Sequence, residues 1–289
     1  MELESNGIEP NPEEKSSCLI RSGSLCLSEK RYDEALEHFD RARLIQEKYF
    51  LPNNPSLATT YNRIAAVYYQ QNQFEKSLAF YFKALEIEEN SLSNDHPSIV
   101  TSYSNICTAY VGLSRWSDAL NYAFKAIEKL NQSNQSSQDT RPSILHYIGF
   151  IYHQQDQYEQ ALDYYTKALD LSLNYLLEDD SSLIIKYHRL ATVYQKLKRY
   201  NESLYYFQKT LKVELKSLPD NAKTIAVTYN NISMVYFNLK QFDNALIAAS
   251  EALHQLLKTL PKADAEVVQQ RAYLDTIKIH QILQEKDDS

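Results

Sequence analysis

The chain has 289 residues and a formal charge of −7, from 37 acidic and 30 basic side chains. That balance disfavours electrostatic capture of DNA, RNA or anionic lipid by the molecule as a whole. With 4 glycines and 8 prolines, it has little glycine for the turns of a sheet protein or a phosphate-binding loop, so an all-α architecture is expected.

The first stretch, MELESNGIEPNPEEK (1–15), is acidic and lacks the apolar core of a signal peptide. It is expected to be a disordered leader. No apolar run approaches the ~20 residues that a membrane span needs. Cys18, Cys26 and Cys107 form no CxxC pair, which suits free thiols in a reducing compartment. The expected protein is soluble and cytoplasmic, without a membrane partner.

From residue 16 onward the chain repeats itself. RYDEALEHFDRA ends at Ala42, QFEKSLAFYFKA at Ala84, RWSDALNYAFKA at Ala126, QYEQALDYYTKA at Ala168, RYNESLYYFQKT at Thr210 and QFDNALIAASEA at Ala252. Every interval is 42 residues. Each copy predicts two helices. In the second copy, Tyr61, Ile64, Ala65 and Tyr68 keep the spacing of one helix face. A polar turn at 71–73 follows, then a second stripe at Phe74, Leu78, Tyr81, Ala84 and Leu85. Connectors such as PNNP, NDHP and TRP place a capping side chain or a proline near the first helical turn.

Gly23, Ala65, Cys107, Gly149, Ala191 and Ser233 recur at one position of the first helix, and Ala35, Ser77, Ala119, Ala161, Ser203 and Ala245 at one of the second. Two helices approach closely only where side chains are short, so these positions are expected to face each other. No single hairpin can bury its apolar face, and stacked neighbours must complete the core. The expected units are 16–57, 58–99, 100–141, 142–183, 184–225 and 226–267. EVVQQRAYLDTIKIHQIL then closes the stack as a capping helix, followed by a polar tail, within 268–289.

The pattern of a small residue and tyrosine on the first helix, then aromatic-xx-Ala-Leu-xx-aromatic-xx-Ala on the second, resembles the tetratricopeptide repeat. The 42-residue period and the HP connector in ALEIEENSLSNDHPSIVTSYSNI resemble the kinesin-light-chain type. The resemblance implies a right-handed α-solenoid of six helix-turn-helix units plus the capping helix. Only about 15 polar residues precede the first repeat, where that family carries a coiled coil. A light-chain-like array is therefore expected, and not a light chain.

Motifs for chemistry are missing from the sequence. His146 and His153 are seven apart, about 10.5 Å along a helix, too far to share a metal ion. No HExxH, GxSxG or phosphate loop occurs, so no enzyme, cofactor or metal is expected. Tyr68, Tyr110, Tyr152, Tyr194 and Tyr236 share one repeat position that should face the partner helix, which suits core better than a base-stacking platform.

The resemblance implies that the first helices line a concave groove. Their outward positions in the six repeats contain no Asp or Glu. In the expected site, Arg63, Arg189 and Lys196 supply charge, His146, His153 and His188 donate hydrogen bonds, and Tyr69 offers a ring. Asn62, Asn105, Asn230 and Asn231 pair with a peptide backbone. The expected partner is a protein or peptide segment of acidic or aromatic-acidic character, held by a scaffold or adaptor. Of the NN pairs of related arrays only Asn230-Asn231 is present, so their ligand does not carry over. A carboxylate clamp for chaperone tails is missing at Ile20/Ser24 and Ser104/Thr108. A structural spacer or self-association module, and an intracellular peptide-sensing regulator, stand as alternatives.

Overall fold

The computed structural model describes residues 11–94, 96–132 and 140–287. Among these, all regular structure is helical. The first helices of the six hairpins are α1 (Pro12–Ser28), α3 (Pro55–Gln70), α5 (Pro97–Gly112), α7 (Thr140–Gln154), α9 (Ile184–Lys196) and α11 (Ala222–Asn238). Their partners are α2 (Tyr32–Tyr49), α4 (Phe74–Ser91), α6 (Trp116–Gln132), α8 (Tyr158–Leu173), α10 (Tyr200–Ser217) and α12 (Phe242–Leu257), and α13 (Ala265–Asp287) closes the order. No described helix is long and apolar enough to cross a membrane. Residues up to Tyr147 pack as one compact unit and those from Ile148 as another.

Two boundaries differ from expectation. Helix α1 begins at Pro12, inside the segment expected to be a disordered leader, because Asn11 caps it: its side chain accepts from the Glu13 N–H at 3.2 Å. Residues 1–10 of that leader lie outside the described residues. Helix α13 begins at Ala265, within the sixth expected unit, with Asp264 accepting from Glu266 N–H at 2.9 Å. Its good helix formers carry it to Asp287, through most of the expected polar tail.

Helix starts follow the connector chemistry. Asn54 accepts from Ser56 N–H at 2.8 Å, Asp180 from Ser182 N–H at 2.8 Å and Asn221 from Thr224 N–H at 3.3 Å. At α5 the cap is a histidine: His96 Nδ1 accepts from Ser98 N–H at 3.2 Å. The turn inside each hairpin also repeats. Lys30, Asn72, Ser114, Asp156, Lys198 and Lys240 all have φ between 55° and 60°. The next N–H reaches back five residues, as from Gln73 to the Tyr68 carbonyl at 2.8 Å. This left-handed stop is made without glycine.

The small residues meet as expected. A Cβ on Gly23 would lie 2.7 Å from the Phe39 ring, and one on Gly149 would lie 2.7 Å from Tyr165. Where a serine replaces alanine, its hydroxyl bridges the hairpin. Ser77 donates to the Ala65 carbonyl, Ser203 to Ala191 and Ser233 to Ala245, each at 2.8 Å. Such a bond requires the backbones to be in close approach.

The tyrosines are largely occupied with one another. Tyr68 stacks on Phe80 (5.7 Å, 17°), Tyr110 on Tyr122 (5.7 Å, 25°), Tyr152 on Tyr164 (5.5 Å, 20°) and Tyr194 on Tyr206 (5.6 Å, 8°). Each pair joins the two helices of one hairpin and is worth about 0.5–1.5 kcal/mol beyond its burial. Cations cover several rings, with Lys76 over Tyr68, Arg115 over Tyr110 and Arg199 over Tyr194. Rings sandwiched in this way are not free for bases.

Candidate functional site

In the first unit the expected site residues divide between packing and solvent. Asn62 is half-buried on α3 and donates through Nδ2 to Glu88 Oε1 at 3.1 Å and to Ser102 Oγ at 3.4 Å. Asn62 is expected to turn towards a ligand; its Nδ2 is committed to the fold, and its buried Oδ1 has no hydrogen-bond partner among the described residues. Glu88 is 4% exposed. Burial raises its carboxyl above the ordinary range, against the opposing bonds from Ser102 and Asn62. Ser102 Oγ donates to Glu88 Oε2 at 2.6 Å.

Arg63 is exposed and forms no ion pair among the described residues. Tyr69 is half-buried with its ring edge-on to Phe74 at 5.4 Å. Phe74 in turn occupies the space over Gly112, where a Cβ would meet it at 2.5 Å. Burial, and secondarily Cys107, raise the Tyr69 hydroxyl, so it is a neutral donor at physiological pH. Asn105 is half-buried on α5, and His146 lies on α7 with its ring 6.5 Å from that of Tyr147.

In the second unit three of the expected residues come together. The Arg189 guanidinium lies over the Phe150 ring at 5.0 Å, and its Nε is buried without a hydrogen-bond partner. Both ring nitrogens of His153 are likewise buried and have no hydrogen-bond partner among the described residues, with the ring edge-on to Tyr158 at 5.6 Å. Burial, then Arg189 and Lys196, push the imidazole below its ordinary value. Lys196 is exposed in the last turn of α9. Arg189 and Lys196 have no salt bridge among the described residues. Two cations thus act on the His153 ring, and Asp156 opposes them.

His188 takes another role. It sits one position before Arg189, half-buried, with Nε2 3.2 Å from Asn231 Nδ2 and its ring 5.5 Å from Phe207. Burial, and then Arg189, lower its basicity. It is a neutral link between α9 and α11. This withdraws His188 and the Asn231 amide in part from the expected set. Asn230 keeps a buried, unpartnered Oδ1 and lines a cleft of about 680 Å³ between α11 and α13.

Two features were missed in the sequence. Phe150 is the shelf on which Arg189 lies, although an apolar outward position gave no reason to single it out. The second is a set of polar pairs 14 residues apart across repeat junctions. Thr60 donates to Gln46 at 2.7 Å, Ser102 to Glu88, Tyr61 to Glu47 at 2.9 Å and Tyr103 to Glu89 at 2.7 Å. Their signal was a polar residue inside an apolar stripe, followed by a hydroxyl one connector later.

Tandem helical hairpins with a shared small-residue contact and no acid at the outward first-helix positions define a helical repeat protein. A sequence profile described as "Tetratricopeptide repeat" matches residues 16–87, 61–132, 140–213 and 182–258. The chain belongs to the tetratricopeptide repeat family. No curated protein sequence matches it. Among solved structures, the "kinesin light chain nearly identical TPR-like repeats" of Podosopora anserina share 18% identity at a TM-score of 0.61, over 73% of this chain and 99% of that one. The apo quorum sensor NprR of B. thuringiensis shares 16% at 0.62, over 93% and 77%. YrrB, described as a TPR protein with an unusual peptide-binding site, shares 19% at 0.51, over 76% and 93%.

Proposed function

We propose that this chain is a non-catalytic adaptor that holds a peptide segment of a partner protein on the first-helix face of its repeats, and that the segment is acidic or aromatic-acidic. The observation that carries this reading is the cluster of Arg189, His153 and Lys196, in which Arg189 Nε and both His153 ring nitrogens have no hydrogen-bond partner, and the two cations no salt bridge, among the described residues. Removing a guanidinium from water without a counterion is unfavourable, and a carboxylate from outside repays it with charge-assisted hydrogen bonds. Exposed Arg63 offers the same charge in the first unit. The peptide-binding site named for YrrB supports the class of ligand by analogy of fold.

The test is quantitative capture from lysate with the full chain, wild type against Arg63→Glu plus Arg189→Glu. The adaptor reading expects specific partners to be lost on charge reversal while helical content is unchanged. Partners retained in full by the double variant refute it. Concentration-dependent dimerisation with no charge-dependent partner would favour a spacer. Compaction in solution scattering on adding a free peptide would favour a sensor.

A further inference from the structure

The cleft between α11 and α13 makes the last helix more than a cover. Its floor is apolar, with Val227 at 54% and Met234 at 46% exposure beside buried Leu256, and Tyr273 of α13 forms the opposite wall. With such side chains in a concave space of about 680 Å³, the cleft has the size and polarity of a ligand site. The uncharged polar groups there are the amides of Asn230, Gln269 and Gln270 and the hydroxyls of Thr224 and Tyr273. Gln270 is spent on the fold, donating to the Ala249 carbonyl at 3.0 Å, whereas Asn230 Oδ1 is buried with no donor. An unpartnered amide oxygen beside an apolar floor is matched by a peptide N–H next to an apolar side chain. The charges at the rim, Lys223 and Glu266, pair with each other at 3.3 Å. The cleft is thus electrically neutral, unlike the Arg189 cluster.

The two places lie on consecutive first helices, and the His188–Asn231 contact joins those helices at 3.2 Å. With helix axes about 10 Å apart, the step from the α9 face to the α11/α13 cleft is roughly 10–15 Å, or about four extended residues. The geometry points to a bipartite ligand: one extended peptide whose carboxylate meets Arg189, His153 and Lys196 and whose apolar side chain, about four positions away, enters the α11/α13 cleft. This rests on the acidic-peptide reading above and adds the second half of the motif.

The test selects binders for the full chain from a displayed library of random decapeptides. It then titrates a selected peptide into protein labelled with methyl-13C methionine. Met1 and Met234 are the two methionines of the sequence, so Met234 supplies an internal signal from the cleft. Selected peptides should carry Asp or Glu and an apolar residue about four positions apart, and should shift the Met234 methyl resonance. Met234→Lys, and separately Val227→Lys, should weaken them about tenfold while leaving unchanged the binding of the same peptide with serine at the apolar position. Acidic binders without a fixed apolar position, which leave the Met234 signal still and ignore both variants, overturn the bipartite site and spare the acidic reading. Binders indifferent to Arg189→Glu, or a library with no binder at all, overturn both.

Discussion

Ser102 Oγ donates to the buried carboxylate of Glu88 at 2.6 Å, while Glu214, at the same position three repeats later, has one oxygen without any partner. The two sites share a place in the fold and differ in how the charge is met. Glu88 has Ser102 and Asn62, whereas Glu214, 1% exposed, has Thr228 as its hydrogen-bonding neighbour. Burial pushes the Glu214 carboxyl from 4.5 up to about 7.

A pH-dependent stability follows from Glu214. The folded chain holds this proton more tightly than the unfolded one. Stability from this group is full below about pH 4.5 and is lost as pH rises to 7, by up to about 3 kcal/mol. Glu214→Gln should unfold at a higher temperature than wild type at pH 8, with the gap closing by pH 4.5. Thermal melts across that range measure it.

Glu88 should respond in the opposite way to loss of its donors. Ser102→Ala leaves a buried carboxylate with one bond fewer, and should cost about 1.5–3 kcal/mol at pH 8 and much less near pH 4. Denaturant titration at the two pH values is the measurement.

The hairpin contact is equally testable. Gly149→Ala places a methyl 2.7 Å from the Tyr165 ring, and should destabilise the chain by about 1–3 kcal/mol. Hydrogen exchange should show the loss first in α7 and α8.

Lys198 has φ of 58° at the turn between α9 and α10. Lys198→Gly relieves the Cβ strain, offset in part by a more flexible unfolded chain, for a net gain of about 0.5 kcal/mol. A raised midpoint in urea with an unchanged slope is the expected result.

The fold was legible because its determinants recur. Small residues at 23, 65, 107, 149, 191 and 233 and the residues of the tight turn stand at fixed intervals, and each serves a local need of every hairpin. The site was less legible because it depends on pairings between hairpins. From the sequence Asn62 and Asn230 look alike. Glu88 claims the Nδ2 of the first, while Asn230 lines a cleft. His188 and Arg189 are neighbours in the chain, but one turns to Asn231 and the other to Phe150. The helix boundary at Pro12 depended on a cap at Asn11, a single residue outside the repeat pattern, whereas Asp264 stands in the 42-residue series of caps at Asn54, His96 and Asp180 and starts α13 there.

A partner segment on the first-helix face beside Arg189 is open to direct location. A photoreactive residue at Gln195, at an outward position of α9, or at Asn201, on α10, locates the partner directly. Cross-links from position 195 that vanish with Arg189→Glu, together with none from position 201, are the predicted result. Cross-links from position 201 alone, or from position 195 regardless of the Arg189 charge, would contradict it.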